Sequence, residues 1–241
     1  MVRGIDSFRE WFRGFEANYV VIGGTACDLL MSEAGTAFRA TRDVDMVLIV
    51  EALNSEFGSR IWDYVKMAGY EQRLKSTGTP EYYRFVNPKS PEYPVMIELF
   101  SRRIEGISLP PDANLTPLPI DDDISSLSAI LLDNDYYDFL RTGRTVMDGI
   151  PILKVTHLIP FKAKAWLDLT EHKAKGNQVD SKNIRKHKND VLRLSELISS
   201  DLKMALPDTI MKDMQRFFAE VDEPEKYIRA AAAYDMSNAG V

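Results

Sequence analysis

Thr41-Arg42-Asp43-Val44-Asp45-Met46-Val47-Leu48 sets two acids, two residues apart, at the head of an apolar run that continues to Val50. Side chains alternate faces along a strand, so Asp43 and Asp45 point one way while Val44 and Met46 point into a core. By strand rise the two carboxylates stand about 7 Å apart along the backbone. Like charges at that spacing repel unless something positive lies between them. A hard divalent cation such as Mg²⁺ suits these oxygen donors, and it also keeps phosphate oxygens and water in its shell. A solvated strand start would explain an isolated Asp-x-Asp equally well, so the neighbouring segments decide.

Upstream, Tyr19-Val20-Val21-Ile22 reads as a buried strand that stops at Gly23-Gly24, and Thr25 to Met31 reads as a helix. Glycines at such a turn let the backbone approach a ligand. The helix N-terminus that follows offers free N–H groups and partial positive charge, which suits phosphate. The turn is neither a Walker loop nor a dinucleotide-binding fingerprint. Downstream, Glu98 interrupts the apolar run Val95-Met96-Ile97-Glu98-Leu99-Phe100. An acid within a buried strand is costly unless it is paired or bound to a metal. The alternatives for Glu98 are a salt bridge to Arg102 or Arg103, or exposure on an edge strand. Arg39 and Arg42 lie just before the Asp pair. Arg42 should face away from Asp43, which leaves Arg39 as the candidate for touching a phosphate.

An apolar residue and two glycines, a DxD strand twenty residues on, and a lone acid in a later strand resemble the nucleotidyltransferase superfamily, the polymerase-beta-like fold. The resemblance covers about residues 18 to 195. It implies an α+β fold: a mixed sheet flanked by helices, with a C-terminal helical domain. It also implies that Gly23, Gly24 and Thr25 hold the triphosphate of an NTP. Asp43, Asp45 and Glu98 would then be both metal ligands and catalytic residues, with Mg²⁺ as cofactor and Mn²⁺ as its substitute. The Thr-Arg-Asp-Val-Asp form resembles the AbiEii/AbiGii abortive-infection toxin branch. That branch implies transfer of NMP to an RNA hydroxyl, especially of tRNA, within a toxin–antitoxin or phage-defence system, and a cognate antitoxin protein as partner. Many relatives have Gly-Ser at the turn where this chain has Gly23-Gly24-Thr25.

The rest of the chain reads as a mixed first half, residues 1–153, and a helical second half, 154–241. Ile5, Phe8, Trp11, Phe12 and Phe15 have helical spacing, as do the apolar positions of 54–68. Tyr82 to Val86 reads as a strand, and Asp148-Gly149 as the turn of a hairpin over 145–155. In the second half Thr156 is the expected cap of a long helix with Pro160 in its first turn, Ser181 the cap of the next, and Pro207 the opening of a third. On the first of these, Leu158, Phe161, Ala165, Trp166 and Leu169 share an arc that also contains Lys162, whereas Lys164 lies opposite with Asp168 and Glu171. A lysine on a core-facing stripe must reach water or meet an anion. The toxin-branch resemblance gives Lys162 a part in nucleotide chemistry and makes Asp190, off the apolar face by its wheel position, a further nucleotide-binding candidate.

Composition narrows the setting. The chain has 241 residues, 45% hydrophobic and 27% charged, with a net charge of −6, the balance of an ordinary globular protein. No apolar run approaches the roughly 20 residues of a membrane span, the N-terminus lacks the pattern of a secretory signal, and a cytoplasmic location is expected. The single cysteine, Cys27, excludes an internal disulfide and a cysteine-based zinc site and reads as a small core residue. Lys154 to Arg193 holds ten Lys or Arg against four Asp or Glu, and all three histidines. Such a stretch is either a solvated helix surface or a local phosphate-binding face. Two other functions stay open: a small-molecule, antibiotic-type nucleotidyltransferase, for which the acidic run Asp121 to Asp123 leaves room, and a non-catalytic relative that binds nucleotide or protein.

Overall fold

The computed structural model describes residues 2–74, 80–100, 130–131 and 133–235. The chain divides into two compact units, Met1–Ile124 with Arg144–Leu153, and Ser125–Gly143 with Lys154–Val241. The described residues 130–131 and 133–143, which precede the expected boundary after 153, cluster with the second unit. Among the described residues no helix is long and apolar enough to cross a membrane.

The first unit runs α1 (Ile5–Trp11), β1 (Tyr19–Ile22), α2 (Gly23–Glu33), β2 (Asp43–Leu48), α3 (Ser55–Ala68), β3 (Glu71–Leu74), β4 (Pro80–Val86), β5 (Met96–Phe100), β6 (Arg144–Met147) and β7 (Ile150–Leu153). The strands form one sheet in the order β3-β4-β5-β2-β1-β7-β6. β2 and β5 are parallel, as are β1 and β7, and the remaining neighbours are antiparallel. The α+β architecture with a mixed sheet and flanking helices is therefore present. Asp148 and Gly149, with φ of 48° and 72°, make the expected hairpin turn between β6 and β7, since both positions of a type I′ turn need positive φ. Asn54 caps α3 by accepting from the Phe57 N–H, and Gly69 ends it in a left-handed conformation. β3 had no counterpart in the sequence reading.

Strand alternation sorts the residues of the sheet. On one face Tyr19 lies opposite Leu48, Val21 opposite Met46 and Val44 opposite Ile97. That face is covered by α1 and α3: Tyr19 stacks on Phe57 with centroids 5.9 Å apart and meets Phe8 edge-on at 5.8 Å, and Trp62 meets Phe85 at 5.8 Å. Each such aromatic contributes on the order of 1.5–3 kcal/mol through burial. The other face is apolar in the row Val20–Val47–Phe100 and polar in the next, Ile22–Asp45–Glu98–Arg84. β1 must leave the sheet at that polar row, because Gly23 there begins α2.

The second unit is helical: α4 (Asn134–Thr142), α5 (Val155–Ala174), α6 (Ser181–Ser195), α7 (Asp208–Glu220) and α8 (Ile228–Ala233). α4 is not among the helices expected from sequence. Its buried face packs on α5, where Tyr136 meets Phe161 at 5.2 Å and Phe139 stacks on His157 at 4.3 Å, and this packing ties α4 to the second unit. Trp166 meets Phe217 of α7 edge-on at 5.3 Å. Two expected caps are corrected. Lys154, not Thr156, precedes α5, and the Asp180 side chain, not Ser181, caps α6 by accepting from the Lys182 N–H. Pro207 does precede α7.

Because α5 starts at Val155, Pro160 falls in its second turn rather than its first. Proline has no N–H, so the Thr156 carbonyl four residues earlier loses its helical donor. The Tyr234 hydroxyl supplies the replacement, donating to Thr156 O at 2.7 Å, and Tyr234 is fully buried. Burial raises the Tyr234 hydroxyl well above the ordinary tyrosine range, which keeps it a donor. Tyr234→Phe is expected to lower stability by about 1–3 kcal/mol, the cost of leaving a buried carbonyl unsatisfied. Urea unfolding measures this, and a midpoint equal to that of the parent would mean that the bond contributes nothing.

Candidate active site

Register decides the relation among the three acids. Asp45 lies directly opposite Glu98 on the parallel neighbour β5, which places their Cβ atoms on one face at about 5 Å. Asp43 is two residues earlier on the same face of β2. All three are half-buried, between the fully buried Val44, Met46, Ile97 and Leu99. β5 lies between β4 and β2, so the edge-strand alternative for Glu98 does not hold. Glu98 does form an ion pair, but with Arg84 on β4: Nη2 and Nε of the guanidinium both lie 2.5 Å from Oε1. Arg102 and Arg103, the partners considered from sequence, lie outside the described residues, as does the acidic run Asp121 to Asp123.

The glycine turn adjoins the acids. Gly23 has φ +68°, and a Cβ there would overlap the Asp45 carboxylate. Its bare backbone is thus what lets the acid reach the first turn of α2. A Cβ on Gly24 would sit 2.5 Å from Thr41 Oγ1 and 3.4 Å from Arg39 Nη2, so the Arg39 guanidinium comes to the same turn. Arg42 is exposed. Thr25 is fully buried, and its hydroxyl donates to the Asp43 carbonyl at 2.5 Å. That bond ties the first turn of α2 to the start of β2 and helps position Asp43.

These residues form an all-oxygen, hard donor set, which fits Mg²⁺ or Mn²⁺ better than a softer metal. Strand geometry lines the acids up without clustering them. Among the described residues no group of three or more His, Cys, Asp or Glu side chains is gathered closely enough to hold a metal ion. Like charges on one face repel, and the carboxylate of Glu98 has turned to Arg84.

Lys162 and Asp190 both lie in the second unit, where they meet. Lys162 Nζ is 3.0 Å from Asp190 Oδ2, with the side chains 5% and 1% exposed. The wheel position of Lys162 on the buried arc of α5 is therefore observed, and it meets an anion rather than water. The reading of Asp190 as lying off the apolar face is corrected: it is buried because α6 packs along α5. Lys164 faces the other way, toward Asp168 at 3.1 Å and Asp213 at 3.5 Å. His157 is buried against Phe139, and burial together with nearby Lys154 pushes its imidazole down to about 4. It stays neutral at pH 7 as a packing residue. Cys27 is a buried core residue as expected. Arg84 was missed from sequence. Its signal, a cation in a strand segment near a lone buried acid, becomes visible only once the strands are paired.

No protein-family model matches the sequence, and no curated protein matches it significantly. Among solved structures, the chain is similar to one described as the crystal structure of an antigenic nucleotidyltransferase-like protein from Paracoccidioides brasiliensis. The two are 16% identical, the match covers 89% of this chain and 84% of that one, and the TM-score is 0.49.

Proposed function

We propose that this chain is a divalent-metal-dependent nucleotidyltransferase that moves NMP from an NTP to an acceptor hydroxyl. The observation that carries the reading is the register of β2 and β5, which sets Asp45 opposite Glu98 with Asp43 on the same face, beside a glycine turn that opens a helix. Asp43, Asp45 and Glu98 would hold Mg²⁺ or Mn²⁺, which supplies Lewis-acid stabilisation of phosphoryl oxygens. The backbone of Gly23, Gly24 and Thr25 offers N–H groups to the triphosphate, and Arg39 adds positive charge at the same turn. Glu98 accepts the proton of the acceptor hydroxyl as its oxygen attacks the α-phosphorus, and pyrophosphate departs. Lys162, paired with Asp190, is proposed to support transfer as well.

RNA, tRNA in particular, is the proposed acceptor, and a toxin or phage-defence role with an antitoxin partner is the proposed setting. The outward face of α6 supports an RNA acceptor. Lys182, Arg185 and Arg193 are exposed there, while the helix's one acid, Asp190, is buried. A basic face on a chain of net charge −6 is a local footprint for phosphates. The test is incubation with each labelled NTP, Mg²⁺ and total tRNA. Label appearing on RNA is expected. Label confined to small molecules would remove the RNA acceptor, and no transfer with any of the four NTPs would remove the enzyme.

A further inference from the structure

One side of α6 carries only cations and an amide. At 100° per residue, Arg185, Asn189, Lys182, Arg193 and Lys186 share about 100° of the helix surface. Among the described residues of α6, no acid, apolar or aromatic side chain falls inside that arc. From Lys182 to Arg193 the stripe runs about 16 Å along the axis. Lys182, Arg185, Asn189 and Arg193 are exposed and Lys186 is half-buried. Lys173, at the end of α5, adds a cation where α6 starts, since its Nζ donates to Ser181 Oγ at 2.5 Å. Acids of the same unit are engaged elsewhere: Asp190 with Lys162, Asp222 with Lys188, Glu171 with Lys175 and Arg216, and Asp180 with the Lys182 N–H. Glu196, the first acid along the stripe, comes after the helix.

We propose that this stripe grips a paired stem of the RNA acceptor through its phosphates, without reading its bases. This rests on the RNA acceptor proposed above. A protein partner would need apolar or aromatic anchors to bury. Single-stranded RNA would need aromatic rings on which its splayed bases stack. The arc offers neither. A duplex closes its bases into pairs and presents rigid rows of phosphates, and a straight row of cations on a helix matches such a row. The arginine forks take two phosphate oxygens each. The Asn189 amide, donor and acceptor at once, suits a ribose 2′-hydroxyl.

The experiment follows the full chain by fluorescence anisotropy, with a labelled RNA hairpin and an unpaired U-rich strand of equal length, between about 50 and 200 mM salt. The hairpin is expected to bind several-fold more tightly than the strand. The double variant Lys182→Gln with Arg185→Gln should bind the hairpin about tenfold more weakly and lower the salt slope of its affinity by about two. Lys66→Gln with Lys212→Gln removes the same charge from exposed positions of α3 and α7 and should match the wild type. Arg193→Gln, expected to lower the slope by about one, carries the comparison should the first double variant lose its circular dichroism spectrum. A strand bound as tightly as the hairpin, or equal losses in the two double variants, would overturn the proposal. So would stripe-dependent binding to phosphatidylserine vesicles with hairpin binding unchanged, which would assign the face to a membrane. Transfer of label to tRNA by the wild type separates this failure from a deeper one. Transfer with unchanged hairpin binding in the stripe variants removes the stripe and leaves the RNA acceptor standing. Absence of both transfer and RNA binding removes the acceptor and this inference with it.

Discussion

Asp45→Asn is expected to reduce nucleotidyl transfer by about 10³-fold or more, a loss of about 4 kcal/mol of transition-state stabilisation. The substitution preserves shape and removes one charge. Asp45 sits in the middle of the polar row, opposite Glu98 on one side and Ile22 on the other, and its carboxylate lies against Gly23 at the first turn of α2. Stability should move little, because two effects oppose each other. Relief of repulsion from Asp43 and Glu98 favours the variant, while loss of an anion near a helix N-terminus disfavours it by about 0.3–1 kcal/mol. Labelled-NTP transfer and a thermal melt on the same preparation measure the two quantities. Retained transfer in a folded Asp45→Asn protein would end the proposed chemistry, whereas a large drop in melting temperature would make Asp45 a structural residue.

The second large effect concerns stability. Lys162→Met is expected to cost about 3–5 kcal/mol, since it removes the cation that faces the Asp190 carboxylate, which is 1% exposed. Lys162→Met with Asp190→Leu should recover much of that loss, because replacing both members of a buried pair with apolar groups is often neutral or better. Urea midpoints of the two single variants and the double variant form the cycle. Additive losses would mean that the two residues do not act on each other. The double variant also separates packing from chemistry. If it is folded and stable yet slow in transfer, Lys162 or Asp190 serves the reaction directly. If its transfer equals that of the wild type, the pair is purely structural.

Much of this fold is legible one segment at a time. The period-two pattern of Asp43 to Leu48, the apolar strand before Gly23 and the Asp148-Gly149 turn each carry their conformation in a few neighbouring residues, because strand alternation and positive-φ turns are local steric facts. The wheel of α5 correctly put Lys162 inward for the same reason. α4 carries local signals of the same kind: Asp133 caps it, Arg141 lies in its last turn and Gly143 follows it.

The partners of the charged residues were another matter. Asp43 and Asp45 share a face by alternation alone, but Glu98 joins them only because β5 docks beside β2 in one register, and a slip of one residue would turn it to the opposite face. Arg84 reaches Glu98 through a further strand pairing. Asp190 looks solvent-facing on its own helix and becomes buried only because α5 lies along α6. Tyr234 answers the carbonyl that Pro160 leaves open from 78 residues beyond Thr156. In each case the chain pattern says which way a side chain leaves its own backbone, while the identity of the group it meets depends on long-range packing, where burial and the cost of an unpaired charge choose among many sterically allowed neighbours.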